Sequence, residues 1–199
     1  MTDALRSLTL LLALRDLGKS DGKALLKSAV KELIARRVLG ADTIEEQRRM
    51  RSPKRRLVLV NGPEPIPSER VLRGAAQMIE SAPSELIDGR VVRDLKVAAK
   101  HLARQPNVRK RAVDTALEEL VDAGLVERKE RKALGLVKVK VHVRTAAGDA
   151  ALEADTSRRR RRDSQDDFDG ELDSSFDSSF DSAFDSGFSS GDSGGGGGD

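Results

Sequence analysis

The sequence predicts a mainly α-helical α+β fold: a compact helical domain with short β-hairpins, followed by a disordered acidic tail. Apolar residues in the first 155 positions recur mostly at the three- and four-residue spacing of one helix face, and two short runs alternate instead. The same stretch has no Phe, Tyr or Trp, so its core is built of aliphatic side chains, as is typical of packed helices. About 155 residues are enough for one ordinary domain.

Two helices are predicted to open the domain. Residues 5–17 are rich in Leu and end at Gly18. Residues 22–38 place apolar side chains on one face and Lys or Arg on the other. The charged segment 44–54 predicts a loop, and residues 55–60 predict a short strand that stops at an Asn-Gly-Pro turn.

A Pro-rich connector leads into the middle of the domain. Ser68 is a suitable N-cap for the helix that follows it, and Pro83 with Ser84 starts another short segment. Residues 91–104 predict a further helix, which Pro106 ends.

The domain is predicted to finish with a helix, a hairpin and a small helix. Asn107 is predicted to cap the first helix, and Gly124 suits its left-handed C-cap. Residues 125–128 and 136–144 predict the two strands, and residues 146–154 the last helix.

One arrangement of helix, basic turn and strand occurs twice. AVKELIARRVL is followed by a basic turn and LVLV, and ALEELVDAGLV by a basic turn and LVKVKV. The two copies lie about 87 residues apart, which predicts two similar units and not a longer repeat array.

Charge divides the chain at one place. Residues 1–162 hold all 36 Lys and Arg but only 22 of the 33 Asp and Glu, so their net charge is +14. Residues 163–199 hold the other 11 acids and no base, and the whole chain therefore carries only +3. A body this basic attracts a polyanion: nucleic acid, an anionic membrane surface, or its own acidic tail.

Beyond residue 155 the composition changes. Residues 156–162 form an Arg-rich linker, and residues 163–199 form a tail of Asp, Ser, Phe and Gly that holds all five Phe. We expect disorder there, because little apolar area is available to offset about 1–2 kcal/mol of backbone entropy per residue. The repeat FDSSFDSSFDSAFDSGF suits either a partner-binding segment or a tail that binds and masks the basic body, and its serines are candidate phosphorylation sites.

Several classes of chemistry are excluded. The chain has no Cys, and it contains no P-loop, GxGxxG, HExxH or GxSxG pattern. Its two histidines, His101 and His142, have no acid or nucleophile pattern around them. We therefore expect a protein that is not an enzyme and needs no cofactor or metal. The start MTDALRS lacks signal-peptide features and Leu8–Leu14 is too short to span a membrane, so the expected location is cytoplasmic and at most peripheral to a membrane.

Two basic clusters are candidate anion sites. Arg104 and the run 109–111 bracket the start of a helix, where backbone N–H groups and the helix dipole favour an anion, although they also suit a solvated first turn. The run Lys138, Lys140, His142 and Arg144 lies on one strand face and suits either a row of phosphates or a solvated edge strand.

Three stretches resemble the Golgi phosphoprotein family of peripheral membrane proteins, whose eukaryotic members bind phosphatidylinositol 4-phosphate. The first is LTLLLALRDLGKSDG leading into AVKELIARRVL, the second RRLVLVNGPEPIPSERVLRGAAQMI, and the third NVRKRAVDTALEELVDAGLVERKERKALGLVKVKVHV. Their order and spacing over residues 8–152 carry the likeness, which is to a short member of bacterial type.

The resemblance implies a non-enzymatic peripheral membrane protein, with an adaptor role as one option, that binds anionic lipid or phosphoinositide head groups. Arg109 stands where the family has one head-group arginine, while Pro106 and Leu26 stand at two others, with Lys27 beside Leu26. The resemblance also implies self-association through the hairpin. Together with the charge pattern, it gives a predicted head-group site of Arg109, Arg111, Lys27, Lys23, Lys138 and Lys140.

Two alternatives remain open. The helix 108–123, followed by a basic hairpin, also fits a winged-helix DNA-binding protein with an autoinhibitory acidic tail, although Asp114, Glu118, Glu119 and Asp122 would repel phosphates. A scaffold that self-associates through the hairpin and recruits partners through the Phe repeats is the second alternative.

Overall fold

The computed structural model describes residues 7–46, 54–133, 137–162 and 170–188, and the chain divides into two units. Unit 1 comprises residues 1–32, 67–73 and 109–168, and unit 2 comprises 33–66, 74–108 and 169–199. The elements confirm the mainly helical α+β class. They are α1 (Leu8–Arg15), α2 (Gly22–Ala35), β1 (Leu39–Glu46), β2 (Lys54–Asn61), α3 (Arg70–Glu80), β3 (Glu85–Ile87), β4 (Arg90–Asp94), α4 (Leu95–Arg104), α5 (Val108–Asp122), β5 (Val126–Ala133), β6 (Val137–Arg144), α6 (Ala146–Arg162) and α7 (Gly170–Phe188).

Unit 1 is built around α1, which packs against α6. Ser7 caps α1, and five of the eight residues in this helix are buried, including Leu10 and Leu14. The Leu-rich segment is therefore core, and only Leu8 among its large apolar side chains is well exposed. Aliphatic residues of α2 and α5 add to this core, namely Leu25, Leu26, Ala29, Val30, Ala112, Ala116 and Leu120.

Unit 2 contains a four-stranded antiparallel sheet in the order β1-β2-β4-β3. The predicted loop 44–54 is wrong at both ends, because β1 continues to Glu46 and β2 begins at Lys54. Cross-strand pairs of opposite charge explain how a charged segment forms a strand: Glu45 lies opposite Arg55, and the two form an ion pair of 2.8 Å.

The helix predicted over 91–104 also needs correction, since its first residues belong to β4. Asp88 and Gly89 both have positive φ, 49° and 75°, as a two-residue hairpin turn requires, and they join β3 to β4. The helix α4 starts only at Leu95, where the Asp94 carboxylate accepts hydrogen bonds from the next turn.

Strand β3 is fixed by an arginine from β2. Arg56 donates two hydrogen bonds to the Glu85 carboxylate, at 3.1 and 2.7 Å. These hydrogen bonds, followed by the charge of the guanidinium, lower the pKa of Glu85 below its ordinary value.

The disordered acidic tail is the largest correction, because residues 170–188 form α7, which packs against α4 in unit 2. The four-residue spacing places Phe176, Phe180 and Phe184 on one helix face, where all three are buried. Adjacent rings stack with centroids 5.8 and 5.6 Å apart. The buried face of α4 is rich in Ala, which lets bulky rings approach, so the tail supplies the aromatic area that the body lacks.

The predicted Arg-rich linker also has helical backbone, because α6 runs on through Arg162 and not only to residue 154. Residues 163–169, with Phe168, and residues 189–199 lie outside the described part of the chain.

The predicted internal repeat is present in atomic detail. Arg37 and Gly124, which are 87 positions apart, both follow a helix with positive φ, 60° and 72°. In each copy the next amide, from Val38 or Leu125, donates to the carbonyl five residues earlier at 2.9 Å. This is a Schellman C-cap, formed once with Gly and once with Arg.

Each cap leads into a hairpin of two eight-residue strands, β1–β2 in the first copy and β5–β6 in the second. The backbone N–H of the residue after each hairpin donates a hydrogen bond to the residue that follows the cap. Gly62 donates to the Val38 carbonyl, and Thr145 donates to the Leu125 carbonyl. The repeated unit is therefore a helix, a left-handed cap and a closed hairpin.

A glutamate at the same position of each repeat holds the start of another helix. Glu32 accepts hydrogen bonds from Ser7 Oγ, Thr9 N and Thr9 Oγ1, at 3.0, 2.9 and 2.7 Å. Glu119, 87 positions later, accepts from the backbone N–H of Arg70 and Val71, at 3.0 and 3.4 Å. Both carboxylates satisfy first-turn amides of a helix, α1 or α3, that have no intrahelical partner.

Candidate anion-binding face of unit 1

The first turns of α2 and α5 meet at a glycine. A Cβ added to Gly22 would overlap the backbone carbonyl of Arg109 and would lie 2.6 Å from its Cα, so only Gly allows this approach. Lys23 follows Gly22 directly, and Lys27 lies one turn further along the same helix face. Basic residues that are more than 80 positions apart in sequence are therefore brought to one junction, called here the α2–α5 junction (residues 22–27 and 109–111).

The basic side chains of this junction differ in exposure. Lys110 and Arg111 are exposed, while Lys23, Lys27 and Arg109 are half-buried. Each of the three half-buried side chains already makes a polar or electrostatic interaction inside the chain. The outer pair is therefore placed to meet an external anion first, and the inner three add to the positive potential beneath it.

The two helix starts are not equivalent. The Asp21 carboxylate accepts a hydrogen bond of 2.9 Å from Lys23 N, so the start of α2 already holds an anionic group of its own chain. The first turn of α5 contains no acidic residue and carries Arg109, Lys110 and Arg111. An incoming anion is therefore favoured at the start of α5.

Lys138 and Lys140 are not brought to this junction by any contact of the described residues. Their strand, β6, pairs with β5, which begins after the C-terminal end of α5, about 20 Å along the helix from Arg109. Lys140 is exposed, and the side chain of Lys138 lies outside the described part of the structure. The six predicted residues thus divide into a junction of four and a hairpin pair.

The hairpin has one basic face of its own. Cross-strand partners share a face, which places Arg128 opposite His142 and Glu130 opposite Lys140. Arg128 and Lys140 are exposed, and His142 is half-buried. Arg144, at the start of this face, lies 3.7 Å from the Asp149 carboxylate.

Half of the acids on α5 are engaged by α3. Glu119 accepts the amides of Arg70 and Val71, and Asp122 forms a 2.7 Å ion pair with the Arg70 side chain. Asp114 and Glu118 are exposed. The negative charge that α5 presents to solvent is therefore smaller than the sequence indicates.

The sequence pointed to the charged residues of the junction but not to Gly22, the residue that joins them. Its only signal is a helix that opens with glycine where a better helix former would be expected. This feature does not indicate that the backbone of Arg109 lies against the glycine.

Comparison with protein-family models, curated proteins and solved structures finds no match for this chain. The resemblance to the Golgi phosphoprotein family therefore stays a prediction. Within the described residues, no helix is both long and apolar enough to cross a bilayer. The same residues hold no cluster of three His, Asp or Glu side chains suited to a metal ion.

Proposed function

We propose that the protein is a non-enzymatic peripheral membrane protein, and that the α2–α5 junction of unit 1 binds anionic lipid or phosphoinositide head groups. The contact of Gly22 with the Arg109 backbone carries this proposal, because it joins two basic helix starts into one face. A head-group phosphate accepts hydrogen bonds from Arg111 and Lys110, at the start of α5 where the helix dipole also favours an anion.

The expected energetics are electrostatic. Each Lys or Arg near an anionic bilayer contributes about 1 kcal/mol, so the exposed pair Lys110 and Arg111 supplies about 2 kcal/mol. The Leu-rich helix α1 is not counted here, because its large apolar side chains other than Leu8 are core. Binding that depends on charge in this way weakens with rising salt.

Flotation with liposomes tests the proposal on the full-length chain. Vesicles of phosphatidylcholine alone are compared with vesicles that contain phosphatidylserine or phosphatidylinositol 4-phosphate. Arg111→Ala is expected to reduce binding about fivefold, the equivalent of about 1 kcal/mol. Arg90→Ala, which removes an exposed arginine of unit 2, is the charge-matched control. Equal flotation of the two variants, or no flotation of the wild type with any anionic vesicle, would refute the proposal.

DNA binding by α5 and the β5–β6 hairpin is the second candidate. Two observations favour it: α3 engages Glu119 and Asp122, and the hairpin presents Arg128 and Lys140 on one exposed face. The matched variant is Arg128→Ala, because this residue lies on the hairpin and outside the junction. If duplex DNA binds in a salt-sensitive manner that Arg128→Ala weakens and Arg111→Ala does not, the DNA function is favoured over lipid binding.

A further inference from the structure

The two faces of α7 carry different chemistry. Its inner face holds the buried rings of Phe176, Phe180 and Phe184. Its outer face holds the exposed residues Ser174, Ser178 and Ser182, which repeat at the same four-residue spacing. In the sequence each of these serines is followed three positions later by an aspartate: Asp177, Asp181 and Asp185.

The buried rings of the inner face supply the apolar packing that holds the helix on α4. Ser and Asp are weak helix formers, and they make up most of the outer face. Aspartates at 173, 177, 181 and 185 lie four residues apart, a spacing at which like charges repel along a helix. The tail contains no Lys or Arg that could offset this repulsion within the helix. The packing of the Phe rings against α4 therefore has to outweigh an unfavourable sequence, and added negative charge acts directly on that balance.

We propose that Ser174, Ser178 and Ser182 are phosphorylation sites for an acid-directed serine kinase, and that their phosphorylation releases α7 from α4. A carboxylate three residues after the acceptor is the feature that a basic pocket of such a kinase would recognise. In each transfer the serine Oγ attacks the γ-phosphorus of Mg·ATP. The bond from that phosphorus to the bridging oxygen breaks, ADP leaves, and a kinase carboxylate accepts the hydroxyl proton.

Each phosphate adds a charge of about −1.5 to −2 within one turn of existing aspartates. The number of negative groups that lie three or four residues apart on α7 then increases, and their repulsion lowers the stability of the helix. A serine also has to leave the packed helix to reach ATP in a kinase site. Docking of α7 on α4 therefore slows phosphorylation, and phosphorylation in turn weakens docking. The proposal does not depend on what the α2–α5 junction binds.

The first test treats the full-length chain with Mg·ATP and a purified kinase that requires an acid three residues after serine. Mass spectrometry is expected to place phosphate on residues 174, 178 and 182. Ser175→Ala/Ser179→Ala is the control that keeps all three sites. Phe180→Ala, which alters only the buried face, is expected to speed the reaction by at least about tenfold because it favours the undocked state. A wild-type chain unmodified at these three serines, or an unchanged rate for Phe180→Ala, would overturn the proposal.

The second test needs no kinase. The triple variant Ser174→Asp/Ser178→Asp/Ser182→Asp adds charge, and the triple Asn variant adds a side chain of the same size without charge. Hydrogen exchange over residues 170–188 is expected to be about tenfold faster in the Asp variant, with residues 8–15 unchanged in both. Equal exchange in the two variants would show that charge on this face does not release α7.

Discussion

The buried carboxylate of Glu32 is the clearest place to perturb unit 1. It is only 4% exposed, and it accepts hydrogen bonds from Ser7 Oγ, Thr9 N and Thr9 Oγ1. Thr9 and Ser7 are fully buried, so water does not replace a lost acceptor while α1 stays packed. The substitution Glu32→Ala removes an acceptor from three buried donors at once, although Thr9 Oγ1 keeps a longer contact of 3.3 Å with Ser28 Oγ.

The expected loss follows from those three donors. A buried donor left without an acceptor costs about 1–3 kcal/mol, and fraying of the first turn of α1 relieves part of the cost, so we expect about 3–5 kcal/mol in total. Glu32→Gln keeps one acceptor oxygen but loses the charge, and we expect it to cost about 1–3 kcal/mol.

Urea unfolding followed by circular dichroism measures the effect. With a slope of about 2 kcal/mol per molar urea, Glu32→Ala lowers the midpoint of unit 1 by about 2 M. Glu118→Ala is the matched control, because Glu118 is an exposed glutamate on α5. Hydrogen exchange over residues 7–15 localises the loss to α1. Equal midpoints for Glu32→Ala and Glu118→Ala would refute the anchoring role of Glu32.

Three further predictions concern the junction, the tail helix and the sheet. Gly22→Ala is expected to separate α2 from α5 and to weaken vesicle binding without removing a charge. Gly74→Ala is the control, because its Cβ would meet open space, and it is expected to stabilise α3 by about 0.5–1 kcal/mol. Flotation and thermal melts compare the two variants, and equal behaviour contradicts the Gly22 contact. Phe180→Ala is expected to lower the stability of α7 docking by about 3–5 kcal/mol and so to undock the helix. Fast amide exchange over residues 170–188 reports the undocking, and Ser178→Ala is the control at an exposed position. Because Arg56 lowers the pKa of Glu85, this ion pair stabilises the sheet above pH 4.5, the ordinary pKa, and the stabilisation is lost as the pH falls through the lowered pKa. Amide exchange of β3 from pH 6 to pH 3 is expected to show this loss in the wild type and not in Glu85→Gln. Identical pH profiles of the two proteins would count against the ion pair.

The regular helices were predictable because their periodicity is strong and local. Residues 22–38 and the helix after Asn107 correspond to α2 and α5 within a few residues, and the strand 136–144 corresponds to β6. Strand β5 continues five residues beyond the predicted strand 125–128, to Ala133. The repeat was visible in sequence because the same aliphatic pattern leads into the same cap, although one copy uses Arg37 where the other has Gly124.

The errors have two physical causes. Strand β1 and the β3–β4 hairpin were missed because exposed strands carry charged residues, and cross-strand pairs such as Glu45 with Arg55 become visible only once the register is known. The sequence predicts a disordered tail because the apolar area of the tail alone is too small to stabilise a fold, and the prediction does not include packing against another element. Its Phe spacing already defined one helix face, but the sequence did not indicate that α4 would cover it.

The candidate site was predictable in composition but not in assembly. Lys23, Lys27, Arg109 and Arg111 could be named from charge and the family resemblance, yet their meeting depends on a backbone contact at Gly22. Charge alone groups Lys138 and Lys140 with them, because it does not reveal that the hairpin begins at the other end of α5.

Amide exchange of the full-length chain with and without vesicles containing phosphatidylinositol 4-phosphate or phosphatidylserine tests the central claim most directly. If the α2–α5 junction is one lipid-binding face, residues 22–27 and 109–111 gain protection together, at the same vesicle concentration, and lose it together in high salt. Protection of the β5–β6 hairpin alone, or of neither junction segment at any vesicle concentration, would contradict the account.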